Sequence, residues 1–292
     1  MKLTQPIACR ICEKETEPFL RLSTEELDEP FLDLTLRKQL PELELRRCRE
    51  CGCLWANDAR RHDRVLADAY ERMSAAYFDT QDDDPRYVEF YQKLEQLIKR
   101  HVDGRTILDV GCGDGVFLST ISDEWSKEGV EPSLSGATLA RKRSLAVHHA
   151  TIDTSPHHDP VDLISALDVI EHVVDPCHFV ESFKRHLRPG GVLLLLTGDA
   201  DSYSARTAGP RWSYLRWCGH ISVLSQLGLR KLLQSHGFEI LEWNRCEHPS
   251  SPGAVAWWRV RLFEPARQIV GRNKSWYPFW RDHQIVVARL TP

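Results

Sequence analysis

Thr106-Ile-Leu-Asp-Val-Gly-Cys-Gly-Asp-Gly115 sets a short apolar run directly before three glycines at alternate positions. Ile107, Leu108 and Val110 suit a strand covered on both faces, and Val116, Phe117, Leu118 and Ile121 then change to helical spacing. Gly111, Gly113 and Gly115 permit a tight turn and a close approach of backbone to ligand that side chains would obstruct. A strand, a glycine turn and a helix in that order form the nucleotide-holding end of a parallel α/β sheet.

The turn departs from the dinucleotide pattern, because Val116 stands where a third spaced glycine belongs, and it lacks the Gly-Lys-Ser/Thr of a phosphate-cradling loop. Asp109 and Asp114 flank it instead. Two carboxylates repel a pyrophosphate and attract a guest carrying an ammonium and a sulfonium, which favours S-adenosylmethionine over NAD or ATP. Working outward, Lys127 to Val130 reads as a second strand closing on Glu131 and Pro132, roughly 20 residues past the turn, where an acidic group takes ribose hydroxyls. Asp162 to Val169 is a strongly apolar strand that contains Asp168 and leads into Ile-Glu-His-Val-Val-Asp-Pro (170 to 176). Leu187-Arg-Pro-Gly-Gly-Val-Leu-Leu-Leu-Leu-Thr197 is expected to end a helix at its Pro-Gly-Gly turn and start another buried strand.

On these residues the chain resembles the class I S-adenosylmethionine-dependent methyltransferases, over about residues 104 to 292. The shared features are D-x-G-x-G-x-G, an acidic second-strand end, D-x-x-E-H-x-x-D-P and L-x-P-G-G. The resemblance implies a doubly wound, seven-stranded Rossmann-like sheet with an antiparallel closing hairpin. Strands are expected near 106–110, 127–131, 146–151, 162–168, 191–197, 238–245 and 283–290. Asp109, Gly111, Gly113, Gly115, Glu131, Pro132 and Asp168 are the implied cofactor contacts. Asp153, after the third strand, is placed either to accept from the adenine amino group or as an exposed turn residue.

The cysteines are unevenly spread. Cys9-x-x-Cys12 and Cys48-x-x-Cys51-Gly52 supply two knuckles whose four thiolates complete a tetrahedral zinc shell with no open position, a structural site rather than a catalytic one. Cys53 is a substitute ligand, and two incidental cysteine pairs are the alternative. Residues 1–56 thus form an expected zinc-ribbon-like module, 57–103 a helical cap or linker, and 104–292 the catalytic domain with an acceptor insert at 199–237. The linker divides at Asp82-Asp-Asp-Pro85 into two helices, the second carrying Val88, Tyr91, Leu94, Leu97 and Ile98 on one face. Tyr70, Tyr77 and Phe78 are candidates to close over the methionine end of the cofactor, or to pack on the core.

In the insert, Tyr203, Ser204, Arg206, Arg211, Trp212, Tyr214, Trp217 and His220 suit a hydroxylated or phosphate-bearing acceptor, or a loop packed down by its tryptophans. Methyl transfer to a hydroxyl needs in-line positioning and removal of a proton, for which His172 and His220 are the candidates, each alternatively a packing residue. His220 and the four cysteines also resemble features of bacterial sugar methyltransferases. Those that methylate carbon usually carry a long further domain, whereas this sequence stops after the last expected strand, so O-methylation of a sugar, glycan precursor or related metabolite is expected. Glu171 and His172 are donors for magnesium, but no second Glu-His pair completes a shell, and no catalytic metal is expected.

The alternatives are an RNA or protein methyltransferase reading its target through the zinc ribbon, or a cofactor-binding scaffold without catalysis. The formal net charge of -4 and the acidic run Glu13, Glu15, Glu17, Glu25, Glu26, Asp28 and Glu29 disfavour a phosphate backbone. Residues 254–281 gather Arg259, Arg261, Arg267, Arg272, Lys274 and Arg281 among tryptophans, which suits either contact with an anionic membrane surface or a helix whose arginines snorkel to water. With no membrane-length apolar run and no apolar leader after Met1, a cytoplasmic location is expected.

Overall fold

The computed structural model describes residues 7–27, 39–72, 84–156, 159–249 and 281–291. Tyr77, Phe78 and almost all of the basic segment 254–281 lie outside the described residues. The strands are β1 (Thr16–Leu22), β2 (Leu43–Cys48), β3 (Leu54–Ala56), β4 (Thr106–Val110), β5 (Ser126–Glu131), β6 (Ala146–His149), β7 (Val161–Leu167), β8 (Leu187–Gly198), β9 (Ser222–Val223), β10 (Phe238–Cys246) and β11 (His283–Leu290). The helices are α1 (Ala59–Arg72), α2 (Pro85–Lys99), α3 (Val116–Thr120), α4 (Leu134–Lys142), α5 (Pro176–Phe183), α6 (Tyr203–Ala208) and α7 (Gln226–Ser235).

Seven strands form one sheet in the order β10-β11-β8-β7-β4-β5-β6. β6, β5, β4, β7 and β8 run parallel, and β11 lies antiparallel between β8 and β10. The chain steps from β4 to β5 and β6 on one side, then crosses to β7 and β8 on the other. The carboxyl end of β4 is therefore the topological switch point, where doubly wound sheets hold their ligands.

Alternate residues of the same strands feed two cores. Leu108, Val110, Ile164, Ala166, Leu193 and Leu195 pack on one face with Phe179, Val180 and Phe183 of α5 and Leu229, Leu232 and Leu233 of α7. Ile107, Leu163, Leu194 and Leu196 pack on the other with α2, α3 and α4. Each such leucine contributes about 1.5–3 kcal/mol through removal from water, which fixes the register because a one-residue slip would exchange the faces. On α2 the buried stripe is Tyr87, Phe90, Tyr91, Leu94, Leu97 and Ile98, so Phe90 takes the place expected for Val88. The helix begins where the acidic break predicts: Asp84 accepts from the Arg86 backbone N–H at 2.9 Å, with Pro85 in the first turn.

The Pro-Gly-Gly sequence is not a turn before the strand. α5 ends earlier, at Phe183, and β8 already includes Leu187 to Gly191, with Gly190 at φ 77° where the pairing to β7 shifts register.

The cysteine segment contributes a four-stranded sheet, β1-β2-β3-β9, whose last strand comes from the stretch expected as the acceptor insert. Leu54 pairs with Val223 and Trp55 with Ser222. Cys9, Cys48, Cys51, Cys53 and Trp55 share a core with Leu224 and Leu229. Arg10 reinforces the junction, donating to Ser222 Oγ at 2.9 Å and to the Ala56 carbonyl at 2.8 Å. No helix among the described residues is long and apolar enough to cross a membrane.

Candidate functional site

Gly111, Gly113 and Gly115 all have positive φ (72°, 56° and 82°), so the turn after β4 is built from left-handed residues. At Gly111 a Cβ would stand 2.6 Å from Val169 Cγ2, which makes glycine obligatory there for packing as well as conformation. The Glu131 carboxylate lies across this turn. Its Oε2 accepts from the Gly113 N–H at 2.9 Å and its Oε1 from the Ser133 N–H at 2.7 Å. Burial raises its pKa, while those two N–H groups oppose the shift. Pro132 follows on the surface, its carbonyl accepting from His149 Nε2 at 2.9 Å.

The two aspartates of the turn differ from the paired charges the sequence suggested. Asp109 is buried and accepts from Ser165 Oγ at 2.6 Å; burial pushes its pKa up to about 7, with the Glu131 charge adding to the rise. Asp114 is tied to Arg143, whose Nη2 lies 3.0 Å from Oδ2 and whose Nε donates to the Asp114 carbonyl at 2.8 Å. Its charge is balanced within the protein and adds little attraction for a cationic guest. Asp153 projects onto α5, where Oδ1 accepts from Ser182 Oγ at 2.6 Å and lies 3.0 Å from Arg185 Nη2 and 3.2 Å from His178 Nε2.

Asp168 follows β7 with φ 53°, an uncommon backbone for any residue but glycine, and its N–H donates to the Leu196 carbonyl at 2.9 Å. Its Oδ2 lies 3.0 Å from His248 Nε2, and its Oδ1 lies 3.7 Å from His283 Nε2 with no hydrogen-bond partner among the described residues. Burial alone would raise its pKa, but the two histidines outweigh that and hold it at about 2. His283 is flanked on its other side by Asp282, 2.8 Å from Nδ1, and the carboxylates raise its pKa against the opposing effect of burial. The pattern of the chain concealed His248 and His283. Only the antiparallel pairing of Cys246 with His283, and of His283 with Gly198, brings them beside the end of β7.

Glu171, in the turn Ile170–His172, is fully buried. Its Oε1 accepts from the Tyr214 phenol at 2.5 Å and its Oε2 from Thr197 Oγ1 at 2.9 Å. Burial, with the charge of Asp168, raises its pKa to about 7. Tyr214 Oη also accepts from the Gly198 N–H at 2.9 Å, and a Cβ at Gly198 would meet the tyrosine ring at 2.4 Å. Glycine is needed there so that the insert can fold its tyrosine over the end of β8. His220 Nδ1 lies 2.6 Å from the Tyr214 carbonyl, and the rings of His172 and His220 are 4.9 Å apart. Burial pushes the His172 pKa down to about 4 and, with His172 beside it, drives that of His220 well below 6.5. Burial thus favours the neutral form of both rings.

The two histidines proposed from sequence thus meet in space, joined by Glu171 and Tyr214. Trp212 stacks on Tyr214 at 4.8 Å and Trp217 on His220 at 6.1 Å, so the insert's aromatics pack around these residues. The four cysteines also converge. Cys9 Sγ lies 3.6 Å from Cys51 Sγ and Cys12 Sγ lies 3.4 Å from Cys48 Sγ, with all four sulfurs within 4.8 Å of one another. The hydrogen bond to Cys51, together with burial, pushes the Cys9 thiol up to about 12. Cys53 Sγ lies 3.4 Å from Ser225 Oγ and also hydrogen-bonds with the Cys51 thiol at the edge of the cluster.

Residues 60–242 match the family model described as a methyltransferase domain. A Mycolicibacterium smegmatis protein described as a probable S-adenosylmethionine-dependent methyltransferase is 29% identical over 155 residues, covering 51% of this chain and 58% of that one. The ubiquinone biosynthesis O-methyltransferase of Sodalis glossinidius is 28% identical over 116 residues, covering 36% of this chain and 47% of its own. The chain thus spans about half the length of these curated relatives. Among solved structures, the plantazolicin methyltransferase BpumL in complex with a triazolic desmethylPZN analogue and SAH superposes with TM-score 0.53 at 16% identity, covering 80% of this chain and 98% of that one, a likeness of fold.

Proposed function

We propose that this chain, which belongs to the methyltransferase-domain family, transfers the methyl group of S-adenosylmethionine to a hydroxyl of a small acceptor, a sugar, glycan precursor or related metabolite. The observation that carries the reading is the placement of two constellations at the carboxyl ends of neighbouring strands. The glycine turn and Glu131 stand beyond β4 and β5; Asp168, Glu171, His172, Tyr214 and His220 stand beyond β7 and β8. A cofactor laid across the switch point would span from one to the other.

The residues fit S-adenosylmethionine on independent grounds. Gly111, Gly113 and Gly115 leave the backbone open to close approach, and Glu131, already oriented by two backbone N–H groups, retains lone pairs for ribose hydroxyls. Pro132 adds an exposed apolar surface beside it. The buried Asp168 Oδ1, without a hydrogen-bond partner among the described residues, suits a cationic amino group. Asp109 beneath the turn can supply negative charge once a cation approaches. When bound, the cofactor provides an electrophilic methyl on a sulfonium. The protein's own part is to hold the acceptor oxygen in line and to manage its proton, which falls to His172 and His220. The name of the ubiquinone relative agrees with oxygen as the acceptor atom.

The cysteine cluster is proposed to hold a structural zinc ion. Tetrahedral thiolates at about 2.3 Å from zinc are about 3.8 Å apart, and the observed separations of 3.4 and 3.6 Å approach that spacing without rearrangement of the knuckles. A cytoplasmic location accords with a reduced four-thiolate site.

Incubation with methyl-labelled S-adenosylmethionine and a panel of nucleotide sugars, free glycans, phenolic metabolites and RNA tests the acceptor class. Label in a small hydroxylated compound supports the reading. Label only in RNA, or in no acceptor despite cofactor binding, overturns it.

A further inference from the structure

We infer that Glu171, His172 and His220 form a binding site for one divalent metal ion, chemically distinct from the four-cysteine cluster, which acidifies the acceptor hydroxyl. The inference deepens the proposal above and rests on its placement of the acceptor beyond β7 and β8.

Each of the three side chains offers one ligand atom, and these atoms lie within 4.8 Å of one another. Imidazole nitrogens and carboxylate oxygens bind first-row ions at about 2.0–2.2 Å, so neighbouring ligands end about 3–3.5 Å apart, within reach of side-chain rotation alone. Two histidines and one carboxylate leave coordination positions open for oxygen donors.

The surroundings are arranged as around a metal ligand set. The Tyr214 carbonyl can only accept, so His220 Nδ1 is the donor in their 2.6 Å contact and Nε2 carries the lone pair. Nε2 makes no hydrogen bond among the described residues, although His220 is only 7% exposed. That lone pair is offered on the side the ring shares with Glu171 and His172. One His172 nitrogen is similarly anchored on the Gly219 carbonyl. Tyr214 Oη and Thr197 Oγ1 hold the Glu171 carboxylate, each through one of its oxygens. Hydrogen bonds of this outer kind fix tautomer and orientation at metal sites. Of the three groups, Glu171 and His220 are buried and His172 is partly exposed, so the set opens on the His172 side, where an acceptor can enter. The sequence offers no second Glu-His pair; the missing ligand is supplied by the insert, as His220.

A hydroxyl bound at an open position loses its proton to solvent water more readily. Its oxygen lone pair then forms the O–CH3 bond as the S–CH3 bond breaks, and the sulfur leaves as a neutral thioether. His172 and His220 thus manage the acceptor proton as ligands, through the ion, rather than by accepting it themselves.

Mn2+ is the probe, because manganese favours nitrogen and oxygen donors while the thiolates retain zinc. Full-length protein with its zinc content verified is titrated with MnCl2 by calorimetry and electron paramagnetic resonance, and the same sample with S-adenosylhomocysteine. One saturable Mn2+ per chain is expected, with affinity at least tenfold weaker in His172→Ala and in Glu171→Gln while zinc content is unchanged. Absence of saturable binding, or unaltered affinity in both variants, overturns the site. Wild-type protein alone gives a second readout: Co2+ should add weak visible bands of nitrogen and oxygen ligation, and thiolate charge-transfer bands alone would also overturn it. S-adenosylhomocysteine bound without Mn2+ removes only the metal site, whereas Mn2+ bound without S-adenosylhomocysteine removes the methyltransferase reading.

Discussion

Replacing Asp109 by asparagine should make the ligand-free protein more stable, and increasingly so as pH rises. Asp109 is 3% exposed, and its single hydrogen-bond donor, Ser165 Oγ at 2.6 Å, can donate equally to an asparagine oxygen. Burial holds its pKa near 7 against an ordinary 3.8. The folded pKa is above the unfolded one, so the contribution of this group to stability is full below pH 3.8 and is lost as pH rises through about 7. At ~1.4 kcal/mol per pH unit the gap corresponds to about 4 kcal/mol of destabilisation at alkaline pH, which asparagine cannot incur. At roughly 2–4 °C per kcal/mol for a domain of this size, Asp109→Asn should melt higher than wild type by about 8–16 °C at pH 8, and by about a third of that at pH 5. Thermal melts of both proteins across that range measure it. Saturating S-adenosylmethionine should close the gap, because the wild-type carboxylate gains a cationic neighbour and the variant does not. A melting difference that is constant from pH 5 to 8, or a variant less stable at pH 8 without ligand, would refute the reasoning.

Gly111→Ala should cost about 1–3 kcal/mol of stability and weaken S-adenosylhomocysteine binding, since the residue sits at φ 72° and its Cβ would lie 2.6 Å from Val169 Cγ2. Adding Val169→Ala should recover part of the stability in the same melts, the remaining deficit being the backbone strain. Tyr214→Phe removes the donor to Glu171 and the acceptor of the Gly198 N–H, at about 1–3 kcal/mol. With an acceptor in hand, kcat should fall more than the KM for cofactor rises, and equal changes in both would count against a role at the acceptor end. Cys12→Ser should lower the zinc content measured by atomic emission and reduce methyl transfer more than cofactor affinity, because β3 holds β9, which directly follows His220. Full transfer activity in zinc-depleted protein would sever that link.

The sheet was legible because burial on both faces leaves a strong mark. Leu193 to Leu196 and Leu163 to Ile164 are apolar without interruption, and the strands fall within a few residues of where those runs predict. The glycine turn was legible for a similar reason, as few residues tolerate a left-handed backbone there. Pro-Gly-Gly misled because the same residues that end helices also make bulges, and here Gly190 serves a register shift inside β8. The partners of Asp153 were not legible, because a carboxylate after a strand carries no sign of its direction, and Ser182 and Arg185 lie about thirty residues on. His172 and His220 could each be named, but their proximity could not, since it depends on the insert doubling back to place Tyr214 over Gly198. His248 and His283 were invisible in the sequence because neither lies in a motif, and only the pairing of β10 with β11 sets them beside Asp168.

Calorimetric titration of the purified protein with S-adenosylmethionine, S-adenosylhomocysteine and NAD, repeated on Glu131→Gln, bears most directly on the whole account. Micromolar binding of the two sulfur ligands, at least tenfold weaker in the variant, with NAD silent, is the predicted result. Preference for NAD, or sulfur-ligand binding indifferent to Glu131, would contradict it.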